Sequence, residues 1–451
     1  MQQFVIEGGH PLRGEVTPGG NKNAILKMLP ACLLTDEPVI LHNVPQIADV
    51  EVTIGVMLAL GVSIEWTAPN TLRVHAADVH SGVLDRTLAS RTRASFVFAG
   101  PLLARCGQAA LPVPGGDFIG ERRLDTHIHA LRRLGAEIAY DRRGTFTMTA
   151  DRLTGADILL REASVMATDN AIMAAVLARG TTIIRNAASE PHIQDLCNML
   201  VSMGAQIDGI GSNRLTIEGV EKLKGCEARV GADFMEVGSF IGAAVITGGE
   251  IRIRDADPEH LAMSALVFER LGVHWQVEGQ DIIVSPNQDL TVQADIGGRI
   301  PIIKAQPWPG FPPDLMSIAL VVATQSAGAV MFHDWMYESR FFFTDKLVRM
   351  GARITLCDPH RVLIQGPTAL RGTPYISSPD IRAGMALVLA ALAAKGETRI
   401  SNIGQVDRGY ERVEEKLVNL GAKIHREALD ALATAEVQQI ELASQMSDNG
   451  T

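Results

Sequence analysis

Aromatic side chains are scarce in this chain, at 5% of 451 residues. A core that lacks them is built from Ala, Val, Ile and Leu, which favours helix and sheet layers packed through small aliphatic groups. Cysteine is scarce as well. The five present (Cys32, Cys106, Cys197, Cys226, Cys357) are scattered, odd in number and never in a Cys-x-x-Cys pair. That argues against a zinc site and against a disulfide framework. Apolar runs such as 383–394 fall well short of the ~20 residues a spanning helix needs. Met1-Gln-Gln-Phe-Val-Ile-Glu7 has no basic start, so no signal peptide and a cytoplasmic location are expected. Positive charge is in deficit too. A net charge of −10 offers no basic stripe for nucleic acid. A few arginines can still make a local pocket for a small anion. P-loop, Gly-x-Gly-x-x-Gly, His-Glu-x-x-His and Gly-x-Ser-x-Gly patterns are missing, which speaks against NTPase, dinucleotide-binding, zinc protease and α/β-hydrolase readings.

What the chain does have is a repeat. Leu-Gly-Ala-x-Ile, with small variations, recurs at Gly61, Gly135, Gly204, Gly272, Gly351 and Gly421. One supersecondary unit used six times is the simplest account, and function is then written where the units differ. The unit is clearest between 180 and 248. Residues 180–186 read as a strand, and 192–203 carry apolar residues at helical spacing. Gly204 is placed to end that helix in the left-handed conformation. Strands follow over 205–208 and 214–217, then a turn, a fourth strand and an apolar helix over 233–247. Similar apolar helices are expected over 24–34, 92–104, 168–178, 314–324 and 381–394.

The sixth unit lacks its later strands, and a helix-prone tail over 427–445 follows it. The segment from Phe4 to Val16 reads like the segment from Leu215 to Gly225, so the N-terminus is expected to complete the last unit. The fold expected is mixed α/β with two three-unit domains. One covers 21–231. The other joins 1–20 to 232–430, and 431–451 form a terminal extension. A cleft between two such domains is the default place for a ligand.

The units differ at the starts of their apolar helices and in one loop. Lys22, in Asn21-Lys22-Asn23, opposes the helix dipole; it is either a solvated lysine or an anion ligand beside free amides. Arg91-Thr92-Arg93 reads first as surface charge. Asp380 suits an N-cap, which leaves Arg382 with no capping task. Asp314 follows a proline-rich stretch and is either a cap or a rigidly held general base. Asp407 is expected to cap the last repeat helix, with Arg408 turned into the cleft. The loop over 111–123 brackets Asp117 with prolines and glycines ahead of Arg122 and Arg123. It suits either an ordinary exposed loop or a lid that closes over the cleft.

Taken together, four pieces carry a resemblance. Asn21-Lys22-Asn23-Ala24, Pro114-Gly115-Gly116-x-x-Ile119-Gly120-x-Arg122, Phe311-Pro312-x-Asp314 and Asp407-Arg408-Gly409-Tyr410-Glu411-Arg412 occur in this order. The chain resembles the UDP-N-acetylglucosamine 1-carboxyvinyltransferase (enolpyruvyl transferase) family over residues 1–426. The resemblance implies an inside-out α/β barrel of six βαβαββ-type units, three per domain. It implies transfer of the enolpyruvyl group of phosphoenolpyruvate to the 3-hydroxyl of UDP-N-acetylglucosamine, with release of phosphate, in peptidoglycan precursor synthesis. Addition and elimination at one carbon require neither a metal nor another cofactor.

By resemblance, Lys22, Arg122 and Arg408 clamp phosphoenolpyruvate, with Arg93 and Arg382 nearby. Guanidinium forks suit carboxylate and phosphate. Asp314 takes the position of the proton acceptor. Asp117 stands in the lid where the family usually has cysteine, as the proton donor to the methylene carbon. Nucleotide-sugar contacts carry over to Asn23, Arg93, Arg122, Arg123, Leu124, Asp125, Thr126, Ser164, Val165, Asp314, Met336 and Tyr337. Three residues depart from the family pattern beside these positions: Met166 for a glycine, Pro313 for a threonine and Arg123 for a proline. Two other readings remain open: enolpyruvyl transfer to a different nucleotide acceptor, and a non-catalytic paralogue that only binds nucleotide sugar.

Overall fold

The computed structural model describes residues 2–79, 81–116 and 119–429. Among these residues the strands form six small sheets, five of four strands and one of three. The third unit shows the common plan. Thr181–Arg185 pairs antiparallel with Arg214–Glu218, which pairs antiparallel with Gln206–Asp208. Asp157–Leu159 adds to the other side of Thr181–Arg185 in parallel. Glu227–Arg229, the strand that follows this unit in sequence, leaves it and pairs in parallel with Val39–His42 in the first unit. Val83 makes the same kind of parallel bridge to Ala110 in the second unit. Each unit hands its last strand to the next sheet, so three units close into a ring.

The second half repeats the scheme with the chain's own N-terminus. Gln2–Glu7 lies between Glu397–Ser401 and Lys423–Ala428, antiparallel to both. Arg13–Val16 then crosses to another sheet and pairs in parallel with Glu250–Ile253. The N-terminal segment therefore serves two sheets. Residues 427 and 428, expected to begin a helix, are held extended by this pairing with Gln3 and Gln2. The rest of that tail, including the extension over 431–451, lies outside the described residues.

All six repeat glycines adopt positive φ, from +80° at Gly272 to +104° at Gly204. A Cβ there would be strained, so glycine ends the helix and releases the chain into the following strand. The expected helix over 92–104 is divided into a 3-10 segment, Arg93–Phe98, and an α-helix, Ala99–Cys106. Pro101 has no N–H to give the Val97 carbonyl, which disfavours one continuous α-helix through this point.

Two separate hydrophobic clusters fill the described residues. One draws on residues between Ala24 and Val230. The other joins Phe4, Ile6, Leu12 and Val16 to residues between Phe234 and Ile424. The second is centred on three helices in mutual contact, Phe234–Thr247, Met316–Gln325 and Ile381–Ala393. They approach closely at Gly242, where a Cβ would meet Ile318 at 2.9 Å and Leu389 at 3.1 Å. Truncating a fully buried leucine such as Leu389 to alanine costs about 2–5 kcal/mol in such cores. No helix of the described residues is long and apolar enough to cross a membrane.

Candidate active site

The helix Lys22–Ala31 starts on the side chain of Asn21, which accepts from the Ala24 amide at 3.0 Å. The Lys22 amide donates to Asp233, itself the cap of the helix Phe234–Thr247, so the two helix starts are tied together. This places Lys22 at the junction of the two halves. Its ammonium, unfavourable at a positive helix end, lies 2.8 Å from the Asp49 carboxylate. The other oxygen of Asp49 accepts from Arg408 Nε at 2.9 Å. Burial works against the Asp49 charge, but Lys22 and Arg408 outweigh it and the carboxyl pKa is lowered.

Asp314 is the second anchor. It lies within the short 3-10 turn Pro313–Leu315 and does not cap a helix. The cap that was one of its expected roles is not made, because two arginines take both carboxylate oxygens. Its carboxylate instead accepts from Arg340 Nη2 and Arg382 Nε, each at 3.1 Å. Burial would raise its pKa; the two guanidiniums, with help from Lys22, hold it well below the usual carboxylate range. Arg382 is fixed from behind by the Tyr410 ring, 5.5 Å away, while Asp380 caps its helix through the Arg382 and Ala383 amides. Arg340 stacks over Tyr337 at 5.1 Å and faces Asp334.

A cavity of about 130 Å³ opens between these anchors, lined by residues of both halves. It gathers Lys22, Asn23, Arg93, Arg122, Asp314, Arg382 and Arg408. An adjoining hollow of about 610 Å³ shares Arg93 and Arg122 and is lined further by Arg123, Leu124 and Asp125. Arg93 donates to the carbonyl of Arg122, which fixes the boundary between the two spaces. Burial and the Arg122 charge lower the pKa of Arg93 to about 10, so it stays cationic at neutral pH.

The remaining expected contacts line neither space. Thr126 donates to Glu162 at 3.0 Å. Ser164 precedes the helix Val165–Ala175 without capping it through its side chain, and Val165 packs on the first core. Met336 and Tyr337 give their amides to Asp334. Asp407 departs from its expected role. It pairs with Arg426, 2.6 Å away, and the helix Val413–Asn419 starts at Arg412 without a side-chain cap. The long-range ion pair wins over the local cap because the helix begins too far along the chain.

Asp117 lies outside the described residues, but its loop is placed on both sides. A Cβ on Gly115 would sit 1.8 Å from the Ser90 carbonyl oxygen, so glycine lets the loop lie against the Ser90–Arg93 turn. Beyond it, the Ile119 carbonyl accepts from the Ser339 amide at 3.2 Å. Gly116 and Ile119 both line the cavity. The described residues on either side of Asp117 thus touch the first half at Ser90 and the second at Ser339.

Relatives share almost the full length of the chain. A UDP-N-acetylglucosamine 1-carboxyvinyltransferase of Bradyrhizobium diazoefficiens is 53% identical over 94% of this chain and 98% of its own. One from Treponema denticola is also 53% identical, over 94% of this chain and 99% of its own. The chain belongs to the UDP-N-acetylglucosamine 1-carboxyvinyltransferase family. The broader family model for EPSP synthase (3-phosphoshikimate 1-carboxyvinyltransferase) matches residues 6–417. The enolpyruvyl transferase NikO from Streptomyces tendae shares the fold, with a TM-score of 0.83 over 95% of this chain and 99% of its own at 24% identity. EPSP synthase from Acinetobacter baumannii aligns at 0.72 over 95% of this chain and all of its own, at 19% identity. The fold of the family is thus mixed α/β in two domains.

Three charged residues lining the smaller cavity escaped the sequence reading. Asp49 and Arg340 lack any local signal, since each is identified by a partner far along the chain. Lys27 carried one: it is the lone charge in the apolar run from Ala24 to Leu29.

Proposed function

We propose that the chain transfers the enolpyruvyl group of phosphoenolpyruvate to the 3-hydroxyl of UDP-N-acetylglucosamine, with loss of phosphate, as the first committed step of peptidoglycan precursor synthesis. The observation that carries this reading is the charge of the cavity wall. Lys22, Lys27, Arg93, Arg122, Arg340, Arg382 and Arg408 face Asp49, Asp314 and Asp380, seven cations against three carboxylates, on a chain that is acidic overall. Such a wall suits a compact polyanion. The domain division proposed here, 21–231 against 1–20 plus 232–430, puts that wall on the seam.

In this reading Lys22, Arg122 and Arg408 hold phosphoenolpyruvate, and Asn23 and Asp314 face the acceptor sugar. The sugar hydroxyl attacks C2 of phosphoenolpyruvate while its proton passes to Asp314. Asp117 gives a proton to the methylene carbon, which becomes a methyl group. Loss of a methyl proton and of phosphate, with its C–O bond broken, restores the double bond. Asp314 bound to both arginines is a weak base. Engagement of Arg382 by the substrate anion loosens that pairing and raises the Asp314 pKa toward a useful value. Asp117 as donor needs a raised pKa, the kind of shift that burial gives a carboxylic acid.

A phosphate-release assay with phosphoenolpyruvate and a panel of UDP-sugars tests this function. Release with UDP-N-acetylglucosamine alone is the expected result. Release with another nucleotide sugar would reassign the acceptor, a point sharpened by Met166 in the cavity wall. Release with none would leave a binding protein.

A further inference from the structure

The cavity wall contains one cation with no partner. Lys27 is 5% exposed and lines the cavity, yet its ammonium makes no hydrogen bond and no ion pair among the described residues. Behind it lies Asp169 on the helix Val165–Ala175, fully buried, with both carboxylate oxygens unpartnered. Glu190 and His192 complete the group, each with one buried unpartnered atom. Burial lowers the Lys27 pKa and raises that of Asp169 to about 7, while the charges that Lys27 senses are Asp169, Lys22, Glu190 and Asp314, and His192 senses Lys27 in turn. Asp169 thus offers charge compensation from the core side without taking a hydrogen bond. A buried ammonium with all of its donors unused is costly unless something else accepts them.

We propose that Lys27 is an acceptor-recognition residue, whose ammonium donates to an oxygen of the sugar held beside Asn23 and Asp314. This rests on the transferase reading above. Two placements support it. Asn23 and Lys27 are four apart on one helix, so their side chains share a face of it. The other lysine of that helix, Lys22, is already tied to Asp49, which leaves Lys27 as the deep donor on the Asn23 side. The oxygen is either the amide carbonyl of the sugar's 2-substituent or a ring hydroxyl; both accept from an ammonium. Asp169, Glu190 and His192 are then positioning residues that keep a charged donor tolerable in the core.

The test compares the wild-type chain with Lys27→Met and with the charge-balanced pair Lys27→Met/Asp169→Asn, by calorimetric titration with UDP-N-acetylglucosamine and with UDP-glucose. Lys27→Met is expected to weaken UDP-N-acetylglucosamine binding about tenfold or more, the usual effect of losing a charged hydrogen bond. The KM for phosphoenolpyruvate at saturating acceptor is expected to stay within about twofold, because Lys27 faces the sugar. The pair should keep the acceptor defect. Selective loss for UDP-N-acetylglucosamine assigns the amide carbonyl, and equal loss for both sugars assigns a hydroxyl. Wild-type affinity in Lys27→Met, or its recovery in the pair, would overturn the inference alone, since Lys27 would then only neutralise Asp169. Failure of the wild-type chain to bind UDP-N-acetylglucosamine would overturn the functional reading and this inference with it.

Discussion

Arg408 donates to Asp49 at 2.9 Å across 359 residues of chain, and Lys22 reaches the same carboxylate at 2.8 Å. One buried aspartate thereby holds two proposed phosphoenolpyruvate ligands from opposite halves of the molecule. Its negative charge also offsets the repulsion between these two cations.

Asp49→Asn removes that compensation and leaves two close cations. Breaking a buried charge pair costs about 3 kcal/mol or more, which a shift in the urea midpoint will show. The KM for phosphoenolpyruvate should rise as Lys22 and Arg408 lose their positions. Unchanged stability with unchanged KM would remove Asp49 from the clamp.

Asp314→Asn keeps the shape of the side chain and the Arg340 contact but removes the base. A fall in kcat of about 100-fold to 10,000-fold is expected, with UDP-N-acetylglucosamine still bound. Stopped turnover without bound nucleotide sugar would instead mark Asp314 as a binding residue.

Asp117→Asn should abolish turnover while nucleotide-sugar binding survives, since an amide cannot protonate the methylene carbon. The same position governs a second outcome. A carboxylate cannot form the thioether that fosfomycin makes with cysteine, so time-dependent covalent inactivation by fosfomycin should not occur. Near-normal turnover of Asp117→Asn would move the donor role to another residue.

His127 links acidity to stability. Burial, with the nearby charge of Arg93, lowers its pKa from 6.5 to about 3. Asn170 Nδ2 lies 2.9 Å from its Nδ1, which must accept and therefore stays unprotonated. Below pH 6.5 the unfolded chain takes up a proton that the folded chain refuses, so stability falls as the pH drops. The contribution is full above 6.5 and is lost progressively toward pH 3. At pH 5 this one group should cost about 2 kcal/mol relative to pH 8, and His127→Gln should flatten the slope of urea midpoint against pH by that amount.

The frame was legible because it is local and repeated. A glycine after each Leu or Met, followed by a β-prone residue, reports a helix end wherever it occurs, and all six glycines take the positive φ that such an end needs. Lys22, Arg93, Arg122, Asp314, Arg382 and Arg408 stood out as charges at helix starts or in a glycine-rich loop without a local task. Asp49 and Arg340 did not, because an acid in the first turn of a helix or an arginine in a loop looks ordinary until its partner is known. The same physics misdirected the reading of Asp407, whose carboxylate is taken by Arg426 rather than by a helix start. The crossing of Arg13–Val16 into a different sheet from Gln2–Glu7 was equally hidden, since strand pairing between distant segments leaves no local trace.

Phosphoenolpyruvate labelled with heavy oxygen in its ester position, incubated with the chain and UDP-N-acetylglucosamine, tests the central claim most directly. The account predicts labelled phosphate and an enol ether whose bridging oxygen comes from the sugar. Unlabelled phosphate, or phosphate release that ignores the nucleotide sugar, would contradict it.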